Sequence, residues 1–373
     1  MTGHPRGRRF LSAAAVVLLL CGVAALSVKL QRGERAAARE PSDSPSVEPS
    51  PATVLAGKVR PAPDGGVHWG AFRQDAPYAR AEVEAVRELA GDWPAVLMWY
   101  QEWDGQPDFD VVSARWLQDR GIVPMVTWEP WRPPEEFADL VVEQPEFSLA
   151  RIAAGDLDPY IARYALSIVK FGGPVMLRPF HEMDGFWYPW GGLVNGNTPA
   201  DYVAAWHHVH DLFDAMGATN VTWVWSVNHR SVPDTEENQP AAYWPGKAYV
   251  DWIGISGFNW GDAGAGSAWK DFDSVYAERY AELVRYGKPI ALTEVAAPES
   301  GGDKAAWTTD TYAAIAGHYP RVRAVIWYDK FDFADRDWRI ASSPESAAAF
   351  RAAVGEAPYA GAPSALVTAA RTP

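Results

Sequence analysis

The sequence predicts a (β/α)8 barrel, an α/β fold in which eight parallel strands alternate with helices. Three observations carry that prediction. Eight short apolar runs alternate with amphipathic stretches over about 290 residues, a length that one core fills only in a barrel or a wide α/β sheet. Several runs are apolar on both faces, as parallel strands covered on both sides must be. Charged and aromatic residues collect just after the runs, at the strand ends where barrels build their sites. A doubly wound sheet is the competing arrangement, but no Gly-x-Gly-x-x-Gly follows the first run.

The strands are expected at Val67–Phe72, Ala95–Tyr100, Val123–Trp128, Val175–Arg178, Val221–Val227, Trp252–Ser256, Ile290–Thr293 and Ala324–Tyr328. Between them the apolar spacing turns helical over Pro77–Ala90, Phe109–Arg120, Asp158–Phe171, Pro199–Met216, Phe272–Tyr286 and Asp303–Tyr319. Ser343-Pro344-Glu345 opens a last helix that runs to Val354. The fifth and sixth strands are joined by a long irregular stretch, Asn228 to Val250.

The barrel is expected to occupy 64–357. Ahead of it, Arg6, Arg8 and Arg9 form a basic flank (1–9) to a run without charge from Phe10 to Val28. That run, about 19 residues, is long enough to cross a bilayer as a helix. It also resembles a secretory signal. An uncleaved anchor is the reading taken, with cleavage and secretion as the alternative; either way the basic flank places the remainder outside the cytoplasm. Residues 29–63, rich in Pro, Ser and Ala, make a semi-stiff linker, and a disordered tail is expected over 358–373. Cys21 is the sole cysteine, so the exported domain has no disulfide and must be held by its core. The first forty residues contribute +5 to a whole-chain charge of −14, which leaves −19 on the rest. Such a surface repels phosphates, and nucleic acid is excluded as a partner.

The most informative stretch is Arg178-Pro-Phe-His-Glu-Met-Asp-Gly-Phe-Trp-Tyr-Pro-Trp190, directly after the fourth strand. Charged groups at a buried strand's end are costly unless paired, and the aromatic rings beside them suit the apolar faces of a sugar. The other strand ends repeat the pattern: Trp128 and Trp131, Trp225 with Asn228, Phe258 with Trp260, Glu294, and Trp327. Nineteen tryptophans, most of them clustered at one set of strand ends, point to a cleft with stacking platforms. A polysaccharide is the expected partner, bound by Arg178, His181, Trp187, Trp128, Trp131, Trp225, Asn228, Phe258, Trp260 and Trp327.

Two carboxylates stand out, Glu182 after the fourth strand and Glu294 ending the seventh. Cleavage of a glycosidic bond with retention needs one carboxylic acid for the leaving oxygen and one carboxylate, about 5–5.5 Å away, to attack the anomeric carbon. The aromatic surround of Glu182 should raise its pKa, as an acid working near neutrality requires. Glu294 should stay ionised beside a cation, for which Arg178 is the candidate. No metal or other cofactor is expected, and the protein is expected to act as a monomer.

These segments, together with Thr127-Trp-Glu-Pro-Trp131, Trp252-Ile-Gly-Ile-Ser-Gly-Phe-Asn-Trp260 and Pro289-Ile-Ala-Leu-Thr-Glu294, resemble glycoside hydrolase family 26 across essentially all of 64–355. The resemblance implies a retaining (β/α)8 hydrolase in which Glu182 is the acid/base and Glu294 the nucleophile. It further implies that His181 orients the site and that Trp187 and Trp327 line the subsite of the sugar under attack. The family's chief substrate is β-1,4-mannan, with β-1,3-1,4-glucan and β-1,3-xylan as alternatives. An envelope exopolysaccharide enzyme and a non-catalytic sugar binder are the remaining readings. Two positions depart from the family: Asp184 stands where Asn is common, and Phe258 where many members have a Tyr that donates to the nucleophile. Ser256 or Asn259 would then have to serve as donor.

Weaker constellations carry less. His207, His208 and His210 lie mid-helix, where a solvated face is the simpler reading than a metal. Glu102 and Glu129 end strands two and three; binding sugar hydroxyls and pairing with Arg132 or Lys330 are equally open.

Overall fold

A computed structural model of the protein describes residues 57–134, 141–264, 266–332 and 336–361. The apolar segment 10–28, Cys21, most of the linker and the tail from 362 lie outside the described residues. No helix among the described residues is long and apolar enough to cross a membrane.

Eight strands form the barrel: β1 Val67–Arg73, β2 Val96–Glu102, β3 Val123–Glu129, β4 Val175–Pro179, β5 Val221–Asn228, β6 Trp252–Phe258, β7 Ile290–Ala296 and β8 Val322–Asp329. Each pairs in parallel with the next, and β1 pairs with both β8 and β2, which closes the ring. Nearly every strand residue is buried, because side chains alternate between the barrel interior and the helical jacket.

The jacket comprises α1 Arg80–Ala90, α2 Val111–Gln118, the short α3 Leu149–Ala153, α4 Asp158–Phe171, α5 Pro199–Ala215, α6 Phe272–Leu283, α7 Lys304–His318 and α8 Pro344–Val354. Five of these starts are set by side-chain caps: the Asp110 carboxylate accepts from Val112 N and Ser113 N, Thr198 and Asp201 form a reciprocal capping box, and Asp271, Asp303 and Ser343 cap in turn. As expected, no α-helix follows β5; three 3₁₀ turns occupy that crossover.

Two boundaries differ from the sequence reading. The linker was expected to reach 63, yet Val59 already packs at the barrel floor. Its N–H donates to Thr222 Oγ1 at 2.7 Å, and its carbonyl accepts from Trp252 Nε1 at 3.2 Å. Proline-rich composition reads as spacer, but one valine at the right distance suffices to fill an apolar floor. At the other end Tyr359–Ala360 adds a parallel β9 beside the start of β1, and the Tyr359 hydroxyl donates to the Tyr312 carbonyl. It pairs with Val67 and His68, below the point where β2 takes over at Gly70.

Candidate active site

Strand alternation aims the Arg178 side chain of β4 into the barrel mouth, where its guanidinium is fully buried and ties together three other strands. Nε donates to Thr127 Oγ1 of β3 at 2.9 Å, Nη1 to Ser256 Oγ of β6 at 3.1 Å, and Nη2 to Glu294 Oε1 of β7 at 2.6 Å. Burial works against the charge, but Glu294 and Tyr100 more than offset it, and the Arg178 pKa is raised.

Glu294 owes its position to an irregularity. The β6–β7 pairing passes from Ile255↔Leu292 to Ser256↔Glu294, so Thr293 is an extra residue in β7. Thr293 Oγ1 meets Ser226 Oγ at 3.0 Å and Ser256 Oγ at 3.3 Å inside the barrel. Two consecutive side chains therefore face the interior. The Tyr276 hydroxyl of α6 donates to the carbonyls of Gly257 and Glu294, which holds the bulge in place.

Glu182 is placed by backbone strain instead. Phe180 and Glu182 adopt φ of 51° and 53°, left-handed values that cost a non-glycine residue about 1–2 kcal/mol each. The Glu182 N–H donates to the Ser226 carbonyl at 2.9 Å, and its Oε2 accepts from Trp187 Nε1 at 2.8 Å. Gly185 permits that indole contact, since a Cβ there would lie 2.4 Å from the Trp187 ring. Burial and then the Glu294 charge push the Glu182 carboxyl up to about 8, against the lowering effect of Arg178 and the Trp187 N–H. Carboxylate oxygens of Glu182 and Glu294 and a ring nitrogen of His181 all lie within 4.8 Å of one another.

These groups are geometrically close enough to hold a cation, but the Arg178 guanidinium already neutralises Glu294. The arrangement is that of a neutral acid facing a charge-paired carboxylate. The cleft above it is lined by Glu182, Trp187, Tyr188, Asn228, His229, Phe258, Trp260 and Glu294. Six of these were expected from the sequence. Tyr188 and His229 were not chosen; both adjoin chosen residues, and His229, half-buried, has its pKa lowered to about 3 by desolvation and by three nearby cations. His181 and Arg178 sit just behind the lining, fully enclosed.

Four of the expected platforms do not reach the cleft. Trp128 points outward and stacks on Tyr160 and Tyr164 of α4, at 5.9 and 4.6 Å between centroids. Trp225 packs edge-on against Trp244 and Tyr286. Trp327 lies against Trp307 of α7 and Phe350 of α8. Trp131 is buried beside Tyr188 and Trp190. The reason is the two-residue period of a strand: Thr127, Ser226 and Tyr328 point in, so Trp128, Trp225 and Trp327 must point out.

The two departures from the family are met by different means. Asp184 is fully buried and outside the cleft lining. Its carboxylate accepts from Asn228 N at 2.9 Å and Ser231 Oγ at 3.0 Å, with Arg279 of α6 at 3.5 Å as counter-ion. Neither hydroxyl nor amide replaces the absent tyrosine at Phe258. Ser256 Oγ accepts from Arg178, while Asn259 Oδ1 accepts from the backbone of Gly261 and Lys270. Arg178 itself is the donor to Glu294. Of the two outer glutamates' expected partners, Arg132 pairs with Asp104 and Glu146, and Lys330 with Asp332.

Residues 127–341 match the sequence profile of Glycosyl hydrolase family 26. The chain belongs to that family. This family 26 domain is 36% identical over 297 residues to endoglucanase H of Acetivibrio thermocellus, covering 78% of the chain and 31% of that protein. It is 29% identical over 168 residues to mannan endo-1,4-beta-mannosidase A and B of Caldalkalibacillus mannanilyticus, covering 43% of the chain and 29% of that protein. The chain thus spans only about a third of the length of these curated relatives. The catalytic domain of an endo-beta-1,4-mannanase from Bacillus sp. JAMB-750 shares the barrel with a TM-score of 0.59 at 20% identity, over 79% of this chain and 87% of that one.

Proposed function

We propose that this domain hydrolyses a β-linked polysaccharide with retention of anomeric configuration, by double displacement. The observation that carries the reading is the close approach of Glu182 and Glu294, within 4.8 Å. That spacing fits direct attack by one carboxylate better than the about 6.5–9.5 Å separation typical of an inverting site. Glu182, neutral below a pKa of about 8, gives its proton to the glycosidic oxygen as the bond to the anomeric carbon breaks. Glu294 bonds to that carbon, forming a glycosyl ester. Glu182, now a carboxylate, takes a proton from water, whose oxygen attacks the same carbon and releases Glu294.

β-1,4-Mannan is the first candidate backbone, from the family resemblance and the names of the mannanase relatives. A second reading, β-glucan, is favoured by one observation: the similarity to endoglucanase H extends over 78% of the chain. Reducing-end release from mannan, lichenan and β-1,3-xylan separates the substrates, and proton NMR of the first product formed tests the stereochemistry. Initial β-anomer supports retention; initial α-anomer rejects it. The domain is further proposed to work outside the cytoplasm, anchored through 10–28, a reading supported by the basic flank before that uncharged run. Recovery of the protein in the cytosolic fraction would overturn the anchor.

A further inference from the structure

Behind the cleft, a third carboxyl group approaches the site without taking part in the proposed reaction. Glu129 ends β3, in register with Glu102 of β2, and is 1% exposed. Its Oε2 accepts from Trp131 Nε1 at 3.2 Å, whereas Oε1 has no hydrogen-bond partner. Facing Oε1 at 3.9 Å is Nδ1 of His181, which is also enclosed and unpartnered. The imidazole has little freedom to turn elsewhere. Tyr188 and Trp190 pack against it at 4.8 and 5.6 Å, Tyr100 at 6.0 Å, and Trp190 Nε1 donates to the His181 carbonyl at 2.6 Å. Two orphaned polar atoms, buried and aimed at one another, cost free energy unless they share a proton; a small side-chain rotation brings them to bonding distance.

We propose that Glu129 is a positioning residue that fixes the tautomer of His181, directing the imidazole proton to Nε2 and toward the Glu182–Glu294 pair. The direction follows from the donors already assigned. Burial, then the neighbouring Glu102 charge, raises the Glu129 pKa well above the ordinary carboxyl value, which favours the protonated form with its one O–H. Oε2 is occupied as an acceptor, so the proton sits on Oε1 and is donated to Nδ1. His181, buried beside Arg178, has its pKa lowered well below the usual value and is itself neutral. With Nδ1 accepting, its single proton resides on Nε2. An Nε2–H near the two carboxylates is a donor; the opposite tautomer would present a lone pair to negative charge.

The kinetic part of this inference rests on the retaining reading, but its spectroscopic part does not. Nitrogen-15 NMR of histidine-labelled full-length protein, with the His181 resonances identified by His181→Gln, reads the tautomer directly. The Nε2–H form is expected in the wild type and in Glu129→Gln, whose amide still donates to Nδ1. In Glu129→Leu a mixture of tautomers is expected, with kcat down about 10- to 100-fold, the range seen when a histidine loses its orienting partner, and KM little changed. Rescue by Gln and not by Leu supports the proposal. An Nδ1–H form in the wild type overturns it, as does a Glu129→Leu protein with the wild-type His181 spectrum and kcat. If Glu129→Leu does not fold, the wild-type and Glu129→Gln spectra still decide.

Discussion

The two central glutamates are held by opposite means. Glu294 stands on strand β7, turned inward by the bulge at Thr293, and it meets a buried guanidinium at 2.6 Å. Glu182 stands on a turn with left-handed backbone at two residues of three, and its charged form is met by one indole N–H at 2.8 Å. One carboxylate is paired with a guanidinium, whereas burial and then the Glu294 charge push the other toward its neutral form. Environment alone divides the roles of two identical side chains.

The comparison is broken most severely at the carboxylates themselves. Glu294→Ala should lower kcat by about 10⁴-fold or more, the scale for losing a nucleophile. Glu182→Gln should cost about 10²–10⁴-fold on a polysaccharide, the worth of a general acid, and much less on an aryl glycoside with a good leaving group. Equal losses on both substrates would remove the acid role. Next is Arg178→Met, which leaves Glu294 buried without its counter-ion. A loss of about 3–5 kcal/mol in stability is expected, since the partner charge is left uncompensated, measured as the urea midpoint, together with a kcat lower by about 10²–10³-fold.

A finer test concerns the pH profile. Activity that needs protonated Glu182 falls as pH rises through its pKa, about 8. The Trp187 N–H lowers that pKa by bonding the charged form, so Trp187→Phe should move the alkaline limb of kcat/KM upward, by about one pH unit. A downward shift would contradict the assignment. The smallest effect on chemistry belongs to the outward face of β5: Trp225→Phe should reduce stability by about 1–2 kcal/mol through lost packing, with kcat and KM within about twofold. A large rise in KM would return Trp225 to the cleft.

The barrel was readable because each strand is a short run apolar on both faces, and the helix Asp158–Phe171 was placed to the residue. Glu182, Glu294 and the Arg178 ion pair were readable because charge at a buried strand's end needs a partner. The direction of a side chain was not. Trp128, Trp225 and Trp327 were assigned to the cleft for lying near strand ends, but their neighbours Thr127, Ser226 and Tyr328 hold the inward positions. Parity within a strand follows from register, which an all-apolar run does not display. The left-handed Phe180 and Glu182 and the extra residue at Thr293 are backbone irregularities that no composition announces. Nor does the sequence show what Asp184 does: its carboxylate, inside the motif, accepts from the backbone of Asn228.

Arg178 reaches from β4 to three other strands while neutralising the residue proposed to attack the sugar. It works like the hub of a wheel, so that rim and axle keep or lose their shape together. Any loosening of the staves on either side shifts Glu294 against its partner acid. Heat or denaturant should therefore silence the proposed activity at the first slackening of the ring, before the surrounding helices let go.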